Sequence, residues 1–207
     1  MSALNISPTL DSASGGNTLF DAVLPTAGDR SRLVRNGAAV IVGSLLLTAS
    51  AKLAIPFWPV PVTLQTLVVL CLGMVLGPKL GAAAVIAYLA QGAAGLPVFA
   101  GTPEKGIGIA YMVGPTGGYL LGFVVAAYVV GWLAERRWDR HVVGTVAAMV
   151  IGNVLIYSFG LAWLGQVVGW DKPVLDFGLK PFILGDLAKI VIAAALLPTL
   201  WRLFGKR

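Results

Sequence analysis

The chain is poor in charge and poorer still in the side chains that hold metals or attack substrates. Only 12% of its 207 residues are Asp, Glu, Lys or Arg, against 57% hydrophobic, and the mean hydropathy is +0.86. A soluble domain carries about 25% charged residues, so this composition excludes a water-soluble globule and indicates an integral membrane protein. The one cysteine, Cys71, lies in an apolar run. That excludes an intrachain disulfide or a cysteine metal cluster and leaves the redox compartment open. The one histidine, His141, stands beside a charged stretch and reads as an interfacial residue rather than a base. No H-E-x-x-H or paired-His pattern offers a metal site. G-x-x-x-x-G-K-[ST] does not occur, so this polypeptide is not expected to hydrolyse ATP through a phosphate-binding loop. Residues 1–34 hold Asp11, Asp21, Asp29, Arg30 and Arg32 among Ser, Gly and Pro. Without a long apolar core they read as a flexible polar tail, not a secretory leader. The net charge of +6 comes without a basic stripe and interleaved aromatics, so nucleic acid is not an expected partner.

What the chain does have is long apolar segments, and a membrane span needs about 20 such residues. The first segment, 36–55, is stopped by Pro56, Pro59 and Pro61, which cannot continue a helix. Segments 62–76 and 80–94 are one apolar block broken at Gly77-Pro78-Lys79, and two antiparallel helices are the natural reading. Each is about 22 Å long at 1.5 Å per residue, short of a roughly 30 Å hydrocarbon core, so something besides lipid must surround one end. A Gly- and Pro-rich loop, 95–116, follows, of a length usually reserved for lids and binding elements. Segments 117–134, 141–168 and 180–204, joined by 135–140 and 169–179, complete an expected all-α bundle of six transmembrane helices over 35–207. If the N-terminus is cytoplasmic, that side holds Arg30, Arg32, Arg35, Lys79, Arg136, Arg137, Arg140, Arg202, Lys206 and Arg207. The other keeps Lys52, Lys105, Lys172 and Lys180, so the positive-inside rule places both termini in the cytoplasm.

Polar residues gather toward the expected outer side. Thr63, Gln65 and Thr66 open the second segment; Tyr88 and Gln91 close the third; Asn153 and Tyr157 lie in the fifth; Asp186 and Lys189 lie in the sixth. The last two are opposite charges three positions apart, hence on one helical face, and charge at membrane depth needs a partner or a wet cavity. A common depth for four clusters suits a small-molecule pocket. Each cluster alone is equally explained by helix-to-helix hydrogen bonding. The Gly114-to-Tyr119 stretch starts a helix whose amides could hold an anion. All six tryptophans fall near span ends, as interface anchors do; Trp58 and Trp170, on outer loops, are candidates to cover a ligand. Ala39 with Gly43, and Ala83 with Ala87, have the spacing of close helix contacts. Asp186 as an acid or base would suit an intramembrane enzyme, but no nucleophile with a partner stands beside it in the sequence.

Three stretches, PVPVTLQTLVVLCLGMVLGPKLGAAAVIAYLAQGAAGLPVFAG, GPTGGYLLGF and PFILGDLAKIVIAAAL, in this order, resemble the BioY family of biotin transporters over about residues 36–203. These are the substrate-binding S components of energy-coupling factor transporters. The resemblance implies six helices, an outward-facing biotin pocket and no cofactor. It also implies a prokaryotic plasma membrane, and a complex with a transmembrane coupling protein and two ATP-binding-cassette subunits; a homo-oligomer is a further option. It places ligand contacts at Thr63, Gln65, Tyr88, Gln91, Lys105, Thr116, Tyr119, Asp186 and Lys189. Asp186 would accept from the ureido N–H, Gln91 would bond the ring, and Lys189, with Lys105, would neutralise the carboxylate. Phe99, Tyr88 or Tyr157 would cover the bicycle, with Asn153 on the same level. Ala39 and Gly43 would face the coupling protein. The alternatives are the intramembrane enzyme and a facilitator for another small anionic vitamin.

Overall fold

The computed structural model describes residues 18–55 and 58–205, and these are mostly helical. Among them five helices are long and apolar enough to cross a membrane. In chain order the elements are α1 (Leu19–Val23), α2 (Asp29–Lys52), a two-stranded antiparallel ribbon of β1 (Ala54–Ile55) and β2 (Val62–Thr63), α3 (Gln65–Ala93), α4 (Gly108–Met112), α5 (Gly117–Glu135), a 3-10 turn (Trp138–Arg140), α6 (Val142–Val168), α7 (Val174–Gly178) and α8 (Lys180–Phe204). The ribbon pairs Ala54 with Thr63 and Ile55 with Val62, tying the two sides of the Pro-rich loop together.

α3 folds back on itself. Gly77 is non-helical, with φ 83° and ψ 176°, a left-sided conformation that glycine adopts without steric cost. Pro78 follows with no N–H to donate, as suits the first residue of a new helix. Gly73 and Gly81 then lie so close that a Cβ on Gly81 would stand 2.7 Å from the Gly73 Cα. At the open end of the hairpin the Gln65 amide reaches the Tyr88 hydroxyl at 2.8 Å, a pair that a continuous helix would hold about 34 Å apart. α5 closes over the reversal: a Cβ on Gly131 would meet the Pro78 nitrogen at 2.5 Å.

The core lies where α3 packs on α5 and α5 on α6, around Leu70, Met74, Val85, Phe123, Val130, Met149 and Ile156. Small residues set these contacts, Gly73 lying against the Ala127 backbone and Gly122 against Ile156. Close backbone approach is what drives helix association where lipid removes the hydrophobic term. Outward faces of α2 and α8, including Ile41, Leu45, Leu184 and Val191, remain exposed, as side chains facing lipid would.

Two expectations change. The polar tail does not extend to residue 34: Thr18 caps α1 by accepting from the Asp21 N–H, and Leu19 is buried. Arg35 holds this turn down, donating to the Leu24 carbonyl at 2.6 Å and to Asp21 at 2.8 Å, with its guanidinium over the Phe20 ring. Residues 1–17 of the expected tail lie outside the described residues, as do Pro56, Phe57, Lys206 and Arg207. The second change concerns the small residues of α2. Gly43 faces inward, where a Cβ would meet Ala84 at 2.8 Å, and Ala39 packs against the same core. Gly43 therefore serves a contact within this chain, while Ala39 is half-buried at the edge of the same core.

Candidate functional site

A cavity opens at the loop end of the bundle, among α3, α5, α6 and α8 and under the 95–107 loop. The free space among its lining atoms, counting the open mouth, is about 520 Å³, of which only about 40 Å³ is enclosed room for water-sized molecules. Its walls are aromatic. Tyr88, Phe99 and Tyr111 form one side, with Phe99 stacked on Tyr111 at 4.7 Å between centroids and edge-on to Tyr88 at 5.4 Å. Tyr119, Tyr157 and Phe182 form another, mutually packed at 6.2 to 6.5 Å. Val60, Leu120, Phe123 and Ile156 fill between them.

Phe99 owes its place to Gly92. A Cβ on Gly92 would fall 2.0 Å from the Phe99 ring, so only the bare backbone there leaves room for the ring.

Two polar groups interrupt the aromatic surface. One is the chain Thr63, Gln65, Tyr88. Thr63 donates its hydroxyl to the Gln65 carbonyl oxygen at 3.2 Å, the Gln65 amide donates to the Tyr88 hydroxyl, and Tyr88 donates to the Val98 carbonyl at 3.4 Å. The other is the charged cluster on α8. Lys189 Nζ donates to Asp186 Oδ1 at 2.9 Å and to Thr66 Oγ1 at 2.8 Å; Thr66 donates to the same Asp186 oxygen at 3.0 Å, and Tyr157 donates to Asp186 Oδ2. Both charges are 5% exposed. An ion pair this deep is tolerated only with its remaining lone pairs and protons satisfied, and three donors from three helices meet the Asp186 carboxylate.

The structure thus brings Thr63, Gln65, Tyr88, Phe99, Thr116, Tyr119, Tyr157 and Lys189 together around one space. Asp186 stands one layer behind, its carboxylate covered by Thr66, Tyr157 and Lys189. Three expected residues are elsewhere. The Gln91 amide donates to Ser44 of α2 at 3.0 Å, because three helical positions rotate a side chain about 60° from Tyr88, toward α2. Asn153 is a turn below Tyr157, with its carbonyl oxygen buried and unpartnered. Lys105 is exposed on the 95–107 loop, its stem against Gly101. Trp58 and Trp170 are also exposed and line nothing here.

Tyr111 and Phe182 also line the cavity, though the sequence does not single them out. Tyr111 belongs to a short helix with no periodic signal, and its hydroxyl donates to the Ala100 carbonyl at 2.9 Å; burial pushes that phenol above its usual range. Phe182 sits four positions before Asp186, one helical turn on the same face, which was the available clue. Among the described residues no three His, Cys, Asp or Glu side chains group to hold a metal.

A polar-lined aromatic cavity beneath loops at one end of a helical membrane bundle is the architecture of a solute-capturing component. The fold is similar to the S-component for biotin from an ECF-type ABC transporter, a 2.1 Å crystal structure. The TM-score is 0.72 and the identity 25%, over 85% of this chain and 95% of that one. The biotin transporter BioY of Thermotoga maritima is 42% identical over 149 residues, 72% of this chain and 85% of that protein. That of Rhizobium etli is 40% identical over 166 residues, 77% and 86% of the two chains. The BioY family model matches residues 21–206, and the chain belongs to the BioY family.

Proposed function

We propose that this protein captures biotin in the cavity described above and serves its uptake as the substrate-binding component of an energised transporter. The observation that carries the reading is the pairing of an aromatic cage with one buried charged cluster, in a chain whose relatives are named biotin transporters. Biotin is a flat ureido-thiophane bicycle on a flexible chain ending in a carboxylate. The rings of Tyr88, Phe99, Tyr111, Tyr119, Tyr157 and Phe182 suit the bicycle.

The charge balance assigns the two ends of the ligand. The ammonium of Lys189 is opposed by Asp186 at 2.9 Å, so the cluster has little net charge left for a ligand anion. A neutral ureido carbonyl is the better partner for the Lys189 N–H, with the Thr66 and Tyr157 hydroxyls beside it. The carboxylate then points to the mouth, toward Thr116 and the 95–107 loop that carries Lys105. This reverses the expectation that Lys189 meets the carboxylate, and it makes Asp186 the group that orients the others.

The membrane arrangement follows the same reading. Counting the two arms of α3 separately gives six spans, and the distribution of Lys and Arg puts both termini in the cytoplasm and the cavity outward. The membrane is the plasma membrane of a prokaryote. Since no phosphate-binding loop occurs in the chain, energy comes from partners, a transmembrane coupling protein and ATP-binding-cassette subunits. The role is capture and transfer, not catalysis.

The test is titration of the purified protein in detergent with biotin, thiamine and riboflavin. Saturable biotin binding at submicromolar concentration, without conversion of the ligand and without binding of the other two, is the expected result. Absence of biotin binding, or chemical turnover, would overturn the reading.

A further inference from the structure

The 95–107 loop forms the outer wall of the cavity, yet it has no ladder to satisfy its backbone. Buried carbonyls require partners; in the strap 98–102 the Gly101 carbonyl accepts from a turn amide, and the carbonyls of Val98, Phe99, Ala100 and Thr102 accept from side chains of three separate elements. Tyr88 of α3 donates to Val98 O, Tyr111 of α4 donates to Ala100 O at 2.9 Å, and Lys52 at the last turn of α2 donates to both Phe99 O and Thr102 O at 3.0 Å. Lys52 also donates to the Thr102 hydroxyl at 3.0 Å, which in turn donates to Phe99 O at 2.7 Å. All three ammonium hydrogens are therefore engaged. The acceptors are neutral oxygens, and no carboxylate pairs with Lys52 among the described residues.

Lys52 lines no part of the cavity, and neither does any other residue of α2. The strap it grips carries Phe99 and Ala100, which do. Charge-assisted hydrogen bonds are the stronger kind, so the grip outweighs the lone phenol bonds on either side.

We propose that Lys52 is a positioning residue for ligand retention. Its ammonium fixes the strap against the end of α2 and thereby holds Phe99 in the cavity wall; without it the strap opens more often and the ligand leaves faster. The inference rests on the reading of this cavity as the biotin site, and it separates the two rates. Dissociation waits on opening of the strap, whereas encounter with an already open mouth does not.

The experiment compares the full-length protein with Lys52→Met, Lys52→Arg and Thr102→Val in detergent. Methionine keeps the stem and removes the donors. Without ligand, hydrogen exchange is followed at the Thr102, Lys105 and Gly106 amides, which bond to Phe99, Gly101 and Pro103 carbonyls within the 95–107 loop. In Lys52→Met these amides are expected to exchange at least about tenfold faster, with 65–76 unchanged. Biotin dissociation, chased with excess unlabelled ligand, is expected to accelerate about tenfold while association changes less than about threefold. Thr102→Val gives a smaller effect of the same kind, and Lys52→Arg recovers part of the loss.

Unchanged strap exchange in Lys52→Met overturns the proposal, as does faster exchange throughout α3, which would mark general destabilisation. A loosened strap with an unaltered dissociation rate overturns the link to retention. If the unmodified protein binds no biotin, the functional reading falls, and the exchange measurement still decides whether Lys52 holds the strap.

Discussion

The two ends of the bundle treat buried charge differently. At the loop end, Asp186 faces Lys189 and two hydroxyls, so every oxygen of the carboxylate has a donor. At the opposite end, Asp139 in the 3-10 turn is 1% exposed and accepts from Trp201 Nε1, but its other oxygen has no partner, nor does the Nε of neighbouring Arg140. Arg140 spreads over the Trp201 ring at 4.1 Å instead of meeting the carboxylate. Burial pushes Asp139 up to about 6 against the pull of the Trp201 hydrogen bond and of nearby Arg140 and His141. A buried charge with complete partners suits a site that must hold one geometry. A buried charge with incomplete partners is a stability liability whose size depends on pH.

The largest expected effect breaks the complete cluster. Lys189→Ala leaves Asp186 buried without its cation, at a cost of about 3–5 kcal/mol, and biotin and neutral biotin amides are expected to lose affinity alike, by more than about a hundredfold. Titration with both ligands checks this; selective loss of the acid would restore the carboxylate to Lys189.

The incomplete cluster is tested by pH. Asp139 has a folded value of about 6, above its ordinary 3.8, so the folded state binds the proton more tightly than the unfolded one. Stability is highest below the ordinary value and is lost as pH rises through about 6, by roughly 3 kcal/mol, with no further change above it. Thermal midpoints of the native protein should fall between pH 4 and 6.5 relative to Asp139→Asn. Parallel curves for the two would refute the assignment.

At the mouth, Lys105→Ala should weaken the acid several-fold and leave biotin amides unchanged, measured by competition. The smallest effect concerns Gln91, which bonds Ser44 and not the cavity: Gln91→Ala should alter biotin affinity less than about twofold while costing about 1 kcal/mol of stability. A large affinity loss there would extend the site to α2.

The reversal within α3 was legible, since Gly77-Pro78 carries both the positive φ and the missing donor that a hairpin needs. The polar clusters were legible as a coincidence of depth, and six of their residues, Thr63, Gln65, Thr66, Tyr88, Tyr157 and Lys189, do converge. The misses share a physical origin. Helical spacing fixes angle and height only to a fraction of a turn, so Gln91 rotates onto α2 and Asn153 drops below the cavity. The strap follows no period at all: its place is set by Lys52, Tyr88 and Tyr111 acting over long sequence separations on its carbonyls. The α1 hook was hidden because five residues give no pattern to read.

The fold-back at Gly77 has a consequence for the surrounding lipid. Its arms, 65–76 and 78–93, extend only about 18 and 24 Å, less than the thickness of an ordinary hydrocarbon layer. About two thirds of the apolar window of α3 is buried against the rest of the protein, chiefly under α5 and α2. Protein rather than lipid therefore covers most of the shortfall, and the bilayer is spared most of the mismatch that arms this short would otherwise impose.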